Sequence, residues 1–253
     1  MDYQPEKSLL NDKIILVTGA SDGIGRQAAL TFAAYGANVI LTARNIEKLN
    51  SVKTEIDAMN GHPALVIPFD LSATDYNDYI GFASEVKKQV THLDGLLNNA
   101  GALGEITPIA QQTPAVWQQV MHINVNAQFM LTKALLPLLE TATAPSIVFM
   151  SSSVGKKGRA NWGAYSVSKF AVEGLMQTMS DEYPAKQLRI NCINPGGTST
   201  DMRADAFPEE DPLLLKTPAE IMPLFLYLMG DDSKNVTGES FDAQPKRTPG
   251  IAK

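Results

Sequence analysis

Six short runs of aliphatic and β-branched residues punctuate the chain: IILVT at 14–18, NVILTA at 38–43, ALVIPF at 64–69, DGLLN at 94–98, SIVFM at 146–150 and RINCIN at 189–194. They lack the apolar–polar alternation of half-exposed strands, so they predict strands covered on both faces, as in a parallel sheet. Between them apolar residues recur at helical spacing, for example at Ile24, Ala28, Leu30, Phe32 and Ala33, then at Leu49, Val52, Ile56 and Met59. Alternating strand and helix predict a doubly wound α/β fold with helices on both faces of the sheet. Ligands of such folds lie beyond the carboxyl ends of the strands. Residues 198–217 break the rhythm. Their acidic, proline-interrupted stretch Phe207-Pro208-Glu209-Glu210-Asp211-Pro212 reads either as a substrate lid or as a solvated excursion. No repeat or linker divides the chain, so 1–253 is expected to form one domain behind a short polar leader, 1–12.

The first strand runs directly into Thr18-Gly19-Ala20-Ser21-Asp22-Gly23-Ile24-Gly25, and Ile24 opens an amphipathic helix. That is the context of a phosphate loop. Glycines allow a tight turn and close approach of backbone to pyrophosphate, while free N–H groups at the helix start face the negative charge. Further along, Tyr165-Ser166-Val167-Ser168-Lys169 puts a phenol and an ammonium four residues apart, on one helical face.

The spacing TGxxxGxG, Asn98-Asn99-Ala100-Gly101 after the fourth run, and Ser152 thirteen residues before Tyr165 together resemble the classical short-chain dehydrogenase/reductase family. The resemblance covers about residues 12–202. It implies a Rossmann-type fold and a nicotinamide cofactor held by Gly19, Ser21, Asp22, Gly23, Ile24 and Gly25. The same family pattern adds Asp70, Leu71, Asn98, Ala100 and Gly101, and the later turn Pro195, Gly196, Thr198 and Thr200. The acid that holds the adenosine ribose of NAD in the family is replaced here by Ala43, followed by Arg44. A 2′-phosphate would meet a guanidinium instead of a carboxylate, so NADP(H) is expected over NAD(H). Asp22 runs against this, since an acid in the loop should repel phosphate. Arg44 alone reads equally as a solvated strand end, and Asp70 as a cap for the residues after it.

The resemblance also implies a hydride transfer between the nicotinamide and a carbonyl or secondary alcohol. Tyr165 would be the proton-transferring group, Ser152 would stabilise the alkoxide, and Lys169 would lower the phenol pKa and bind the nicotinamide ribose. Asn124 would interrupt a helix and hold a water linking Lys169 to solvent. Ser151 and Ser153 flank Ser152, and Asn126 stands close to Asn124, so each assignment carries a register alternative. Trp162 either lines the substrate pocket or packs. Lys156, Lys157 and Arg159 form either a basic entrance or a solvated loop. Segments 158–163 and 241–245 point to one bacterial subgroup of the family, which supplies no substrate. Two further readings stay open: reduction of 3-oxoacyl groups on an acyl carrier protein, and an idle NADP-binding sensor. Relatives assemble as homodimers or homotetramers through two long helices, here expected at about 114–139 and 163–183.

Composition narrows the partners. A net charge of -6 gives no general attraction for nucleic acid or an anionic membrane, and no apolar run approaches the ~20 residues needed to span a bilayer. The lone Cys192 lies in an apolar run and is expected to be buried. With no signal-peptide pattern at the start, the expected compartment is the cytoplasm. His62, His92 and His122 are scattered, so no metal site is expected. No GK[ST] phosphate loop occurs. The expected partner is therefore a small carbonyl or alcohol substrate.

Overall fold

The computed structural model describes residues 3–59 and 62–247. Strand and helix alternate as β1 (Ile14–Thr18), α1 (Gly23–Ala34), β2 (Asn38–Thr42), α2 (Ile46–Asp57), β3 (Leu65–Val66), α3 (Tyr76–Gln89) and β4 (Gly95–Asn98). The second half adds α4 (Pro114–Met121), α5 (Ala127–Leu139), β5 (Ser146–Met150), α6 (Gly163–Glu182), β6 (Arg189–Asn194), α7 (Asp201–Ala206), α8 (Pro218–Met229) and β7 (Ser240–Asp242). The strands pair in parallel in the order β3-β2-β1-β4-β5-β6-β7. This is the Rossmann-type doubly wound sheet, and its order reverses between β1 and β4.

The two-residue period of a strand sorts the apolar runs onto two cores. Ile15, Val17, Val39, Leu41, Leu97, Val148 and Ile193 face a layer that includes α1 and α8. Their neighbours Leu16, Ile40, Leu96, Ile147, Phe149 and Cys192 face the layer of α3, α5 and α6. Both faces are dry, which is why the runs carry no polar alternation. Helix starts follow local chemistry: Asp22, Asn45 and Asp75 cap α1, α2 and α3 with their side chains, and Thr217 with Glu220 forms a capping box on α8 behind Pro218.

Three features differ from the sequence reading. The third run pairs regularly only at Leu65–Val66, because Pro68 has no N–H to give; Ile67 and Phe69 still donate to β2 and Ala43 through Leu41 O and Ala43 O. A seventh strand, β7, goes unannounced by its residues, since Ser-Phe-Asp carries no apolar run and is ordered by pairing with Cys192, Ile193 and Asn194. The polar leader is tied down: Leu10 is fully buried, and Tyr3 donates to Asp232 and packs edge-on against Tyr227.

A buried arginine closes the sheet from below. Arg189, fully buried, donates to Leu228 O, Gly230 O, Ala144 O and the Ser233 hydroxyl. Four acceptors hold the end of α8 and the loop before β5 to the start of β6. Residues 198–217 contain α7 and a turn at Pro212–Leu214, and Glu210 anchors them.

Candidate active site

Where the strand order reverses, the carboxyl ends of β1 and β4 are cross-linked by one hydroxyl. Thr18 Oγ1 donates to Leu97 O (3.2 Å) and accepts from the N–H groups of Asn99 and Ala100 (3.0 Å each). Beyond them the turn into α1 needs its glycines: Gly19 has φ +63° and Gly23 φ +52°. A Cβ on Gly25 would lie 2.3 Å from both Gly19 O and Asn99 Nδ2. The resulting cleft of about 540 Å³ runs from Arg44 and Lys48 to Tyr165 and Lys169.

Of the residues read as cofactor contacts, Gly19, Ser21, Asp22, Gly23, Ile24, Arg44, Asp70, Leu71, Ala100, Gly101, Pro195 and Thr200 line this cleft. Asp70 faces the cleft and accepts from Ser72 N. Four of the residues are placed otherwise. The Asn98 side chain turns into the sheet–helix core, is fully buried and donates to Thr132 Oγ1, whereas its neighbour Asn99 faces the cleft. Gly196 borders an adjoining cavity, and Thr198 is buried with its hydroxyl on Pro195 O. Gly25 is hidden under Gly19 and serves the turn through its lack of a side chain.

The acid in the phosphate loop is neutralised. Asp22 Oδ2 lies 2.6 Å from Lys48 Nζ, whose charge, with the Gly23 N–H on Oδ1, holds the Asp22 carboxyl below the usual range. Lys48 escaped the sequence reading because it sits on α2, a full turn beyond Arg44, and only the fold brings it to the loop.

At the other end of the cleft, Ser152 hydrogen-bonds Tyr165. Ser151, by contrast, is buried and donates to the Glu173 carboxylate, which also accepts from Ser240 Oγ at 2.7 Å. The register alternative at 151 is therefore committed elsewhere. Ser153 begins the turn that Ser152 caps. Lys169 is buried, donates to Met150 O at 2.7 Å, and has its Nζ 5.5 Å from the centre of the Tyr165 ring.

Burial dominates both titrations. It pushes Tyr165 up to about 12, against the pull of the Ser152 hydrogen bond, and brings Lys169 down to about 8. In the protein alone, burial thus outweighs the pull of Ser152 on the phenol.

The path from α4 to α5 is continuous but widened by a π-turn at His122–Asn126. Asn124 is fully buried in it; Oδ1 accepts from Ala102 N (2.7 Å), and Nδ2 donates to Ala102 O (2.9 Å) and Ser168 Oγ (3.0 Å). Asn126, the register alternative, is exposed. A Cβ on Gly101 would stand 3.2 Å from Asn124 Oδ1 and 3.8 Å from Lys169 Nζ, so amide and ammonium converge on one glycine.

Beside Ser152 opens a second cavity of about 230 Å³, bordered by Trp162, Phe207, Lys156 and Arg159. Trp162 both lines it and packs, with ring centroids 5.6 Å from Tyr165 and 5.7 Å from Phe207.

A fold with a phosphate loop at the strand reversal and a Ser–Tyr–Lys group at the far end of the cleft defines a nucleotide-dependent oxidoreductase class. The model of the short chain dehydrogenase family matches residues 13–211, and the chain belongs to that family. The bacterial subgroup indicated by 158–163 and 241–245 is the YciK type: the uncharacterized oxidoreductase YciK of Escherichia coli (strain K12) is 59% identical over 252 residues, 100% of each chain. A short chain dehydrogenase of Shigella flexneri 2a str. 301 complexed with NADP superposes with a TM-score of 0.93 at 59% identity, covering 95% of this chain and 100% of the other. One from Escherichia coli CFT073 complexed with NADPH gives the same values.

Proposed function

We propose that the protein is an NADP(H)-dependent oxidoreductase that interconverts a carbonyl and a secondary or primary alcohol, with Tyr165 moving the proton. The observation that carries this reading is the convergence of Ser152, Tyr165 and Lys169 at one end of a cleft whose other end holds Arg44 and Lys48.

The donor set fits a phosphorylated dinucleotide. Ser21 and Ile24, beside the start of α1, offer N–H groups to pyrophosphate. Ala43 leaves room beside Arg44 and Lys48, whose cations suit a 2′-phosphate. The complexes of the Shigella and Escherichia relatives with NADP and NADPH support the choice. When bound, this cofactor supplies or receives the hydride, and its oxidised form adds a positive charge beside the phenol.

The remaining steps belong to the chain. Tyr165, holding its proton to about 12, gives it to the carbonyl oxygen, so its resting state is that required for reduction. Ser152 hydrogen-bonds the same oxygen and stabilises charge developing there. Lys169 and Asn124, joined at Gly101, return a proton to Tyr165 from solvent. In the reverse direction Tyr165 must first lose its proton, so oxidation needs the added positive charge and should rise with pH. We further infer a homodimer or homotetramer in the cytoplasm, assembled through α4–α5 and α6, where Phe129, Val167 and Phe170 are exposed.

The test is reduction of a panel of aldehydes and ketones, followed by nicotinamide absorbance with NADPH and NADH separately. Wild-type turnover with NADPH that Tyr165→Phe lowers by about 10²–10⁴, with NADPH binding retained, supports the reading. Tight NADPH binding without turnover in either direction would favour a sensor.

A further inference from the structure

The cavity beside Ser152 has a charge opposite to that of the whole chain. Among the described residues its walls carry Lys156, Arg159, Arg203 and Arg247 against the single acid Asp242. Lys156 is already 3.4 Å from Asp242, and both are well exposed, so this pair is weak. The two deeper arginines are arranged differently. Both share one carboxylate: Glu210 Oε2 lies 2.6 Å from Arg203 Nε, and Glu210 Oε1 lies 2.8 Å from an NH2 group of each arginine. These side chains are only 16–25% exposed, so the second guanidinium charge is poorly screened by water.

Both arginines are held in place on one face of the guanidinium. The Arg203 guanidinium lies 3.6 Å over the Phe207 ring, and Phe207 continues through Trp162 to Tyr165. This apolar wall runs from the catalytic phenol to a guanidinium. The Arg247 guanidinium lies flat on the turn after β6: a Cβ on Gly197 would stand 2.5–2.7 Å from its Nε, Cζ and NH2 atoms. Gly197 therefore admits the arginine to the cavity. A guanidinium placed by stacking on one face keeps its in-plane donors for a carboxylate or phosphate.

Resting on the oxidoreductase reading above, we infer that the substrate carries an anionic group, a carboxylate or phosphate, bound by Arg203 and Arg247 at the end of the aromatic wall away from Tyr165. Glu210, on the loop after α7, competes with that anion for the same two guanidiniums. A neutral carbonyl compound of the same size leaves the two guanidinium charges to share one carboxylate, and the site selects against it.

Two paired readouts test this. In the first, benzoate and its neutral isostere benzamide are titrated calorimetrically into the NADP-saturated protein. Benzoate should bind at least about tenfold more tightly, Arg247→Gln should bring the two close together, and Glu210→Gln should tighten benzoate several-fold by removing the competing acid. A merely structural role for Glu210 predicts weaker binding instead. In the second, 4-formylbenzoate should exceed its methyl ester in kcat/KM with NADPH by about tenfold or more. Equal binding of benzoate and benzamide, or weaker benzoate binding in Glu210→Gln, overturns the inference. If both aldehydes are then reduced at equal kcat/KM, the oxidoreductase reading still stands. Preferential benzoate binding with neither aldehyde reduced supports the anion site and counts against the reductase reading.

Discussion

At Lys169 stability and activity pull apart. Its ammonium is almost wholly buried, and desolvation lowers it from 10.5 to about 8 despite the nearby Glu173 carboxylate. The unfolded chain therefore binds the extra proton between those values. Stability of the cofactor-free protein should rise with pH from about 8 and be lowest from this source below 8. Above pH 10 the held-up phenol of Tyr165 reverses the trend, since the unfolded chain loses that proton first. Replacing Lys169 by Met should thus abolish turnover yet stabilise the cofactor-free protein near pH 7 by about 2 kcal/mol, after allowing for the lost bond to Met150 O. Urea unfolding of the two proteins at pH 7 and pH 10 measures this, and a less stable variant at pH 7 would contradict it. Asp22 offers a converse case. Asp22→Ser keeps a cap on α1 while releasing Lys48, so the KM for NADPH should fall about two- to fivefold with little change for NADH. Initial rates with each cofactor check it; an unchanged or higher KM for NADPH would show that Lys48 needs Asp22 to be placed.

Elements set the reach of these residues. The extra residue of the π-turn at His122–Asn126 rotates Asn124 inward, where it bridges Ala102 and Ser168 and so joins three separate segments. Asn124→Ala leaves the part-buried N–H and C=O of Ala102 without these partners. It should cost about 2 kcal/mol, a fall in Tm of about 4–8 °C, and also lower turnover. Calorimetry with parallel rate measurements separates the two effects. A variant that loses turnover but keeps its Tm would place Asn124 in proton return alone. Behind the site, Glu173 ties Ser151 just after β5 to Ser240 on β7, so a three-residue edge strand helps hold the carboxyl end of a central one.

For the whole molecule, the proposed assembly would use the exposed apolar side chains of α5 and α6. Phe170 is 46% exposed on α6 and Phe129 47% exposed on α5, each on a helix whose opposite stripe packs on the sheet. Phe129→Asp together with Phe170→Asp should shift the sedimentation coefficient to that of a monomer, while the secondary structure by circular dichroism stays unchanged. Sedimentation unaltered by the pair would move the interface elsewhere.

Much of this architecture was legible from the residues alone, for a physical reason. Dry, double-faced strands must be continuously apolar, so six of the seven announce themselves. Gly19 and Gly23 mark a backbone that only glycine adopts readily, and Tyr165 and Lys169 share a helical face by spacing alone. What the tertiary structure decided is what depends on neighbours far along the chain. It ordered β7 by pairing, turned Asn98 inward and Asn99 outward, and committed Ser151 to Glu173 so that Ser152 was left for Tyr165. It also brought Lys48 to Asp22 and gathered Arg203, Glu210 and Arg247 around one cavity. Charge and burial at a site are sums over residues that only folding makes adjacent; hence the placing of Tyr165 one helical turn from Lys169 could be read from its motif, and the direction of its pKa could not.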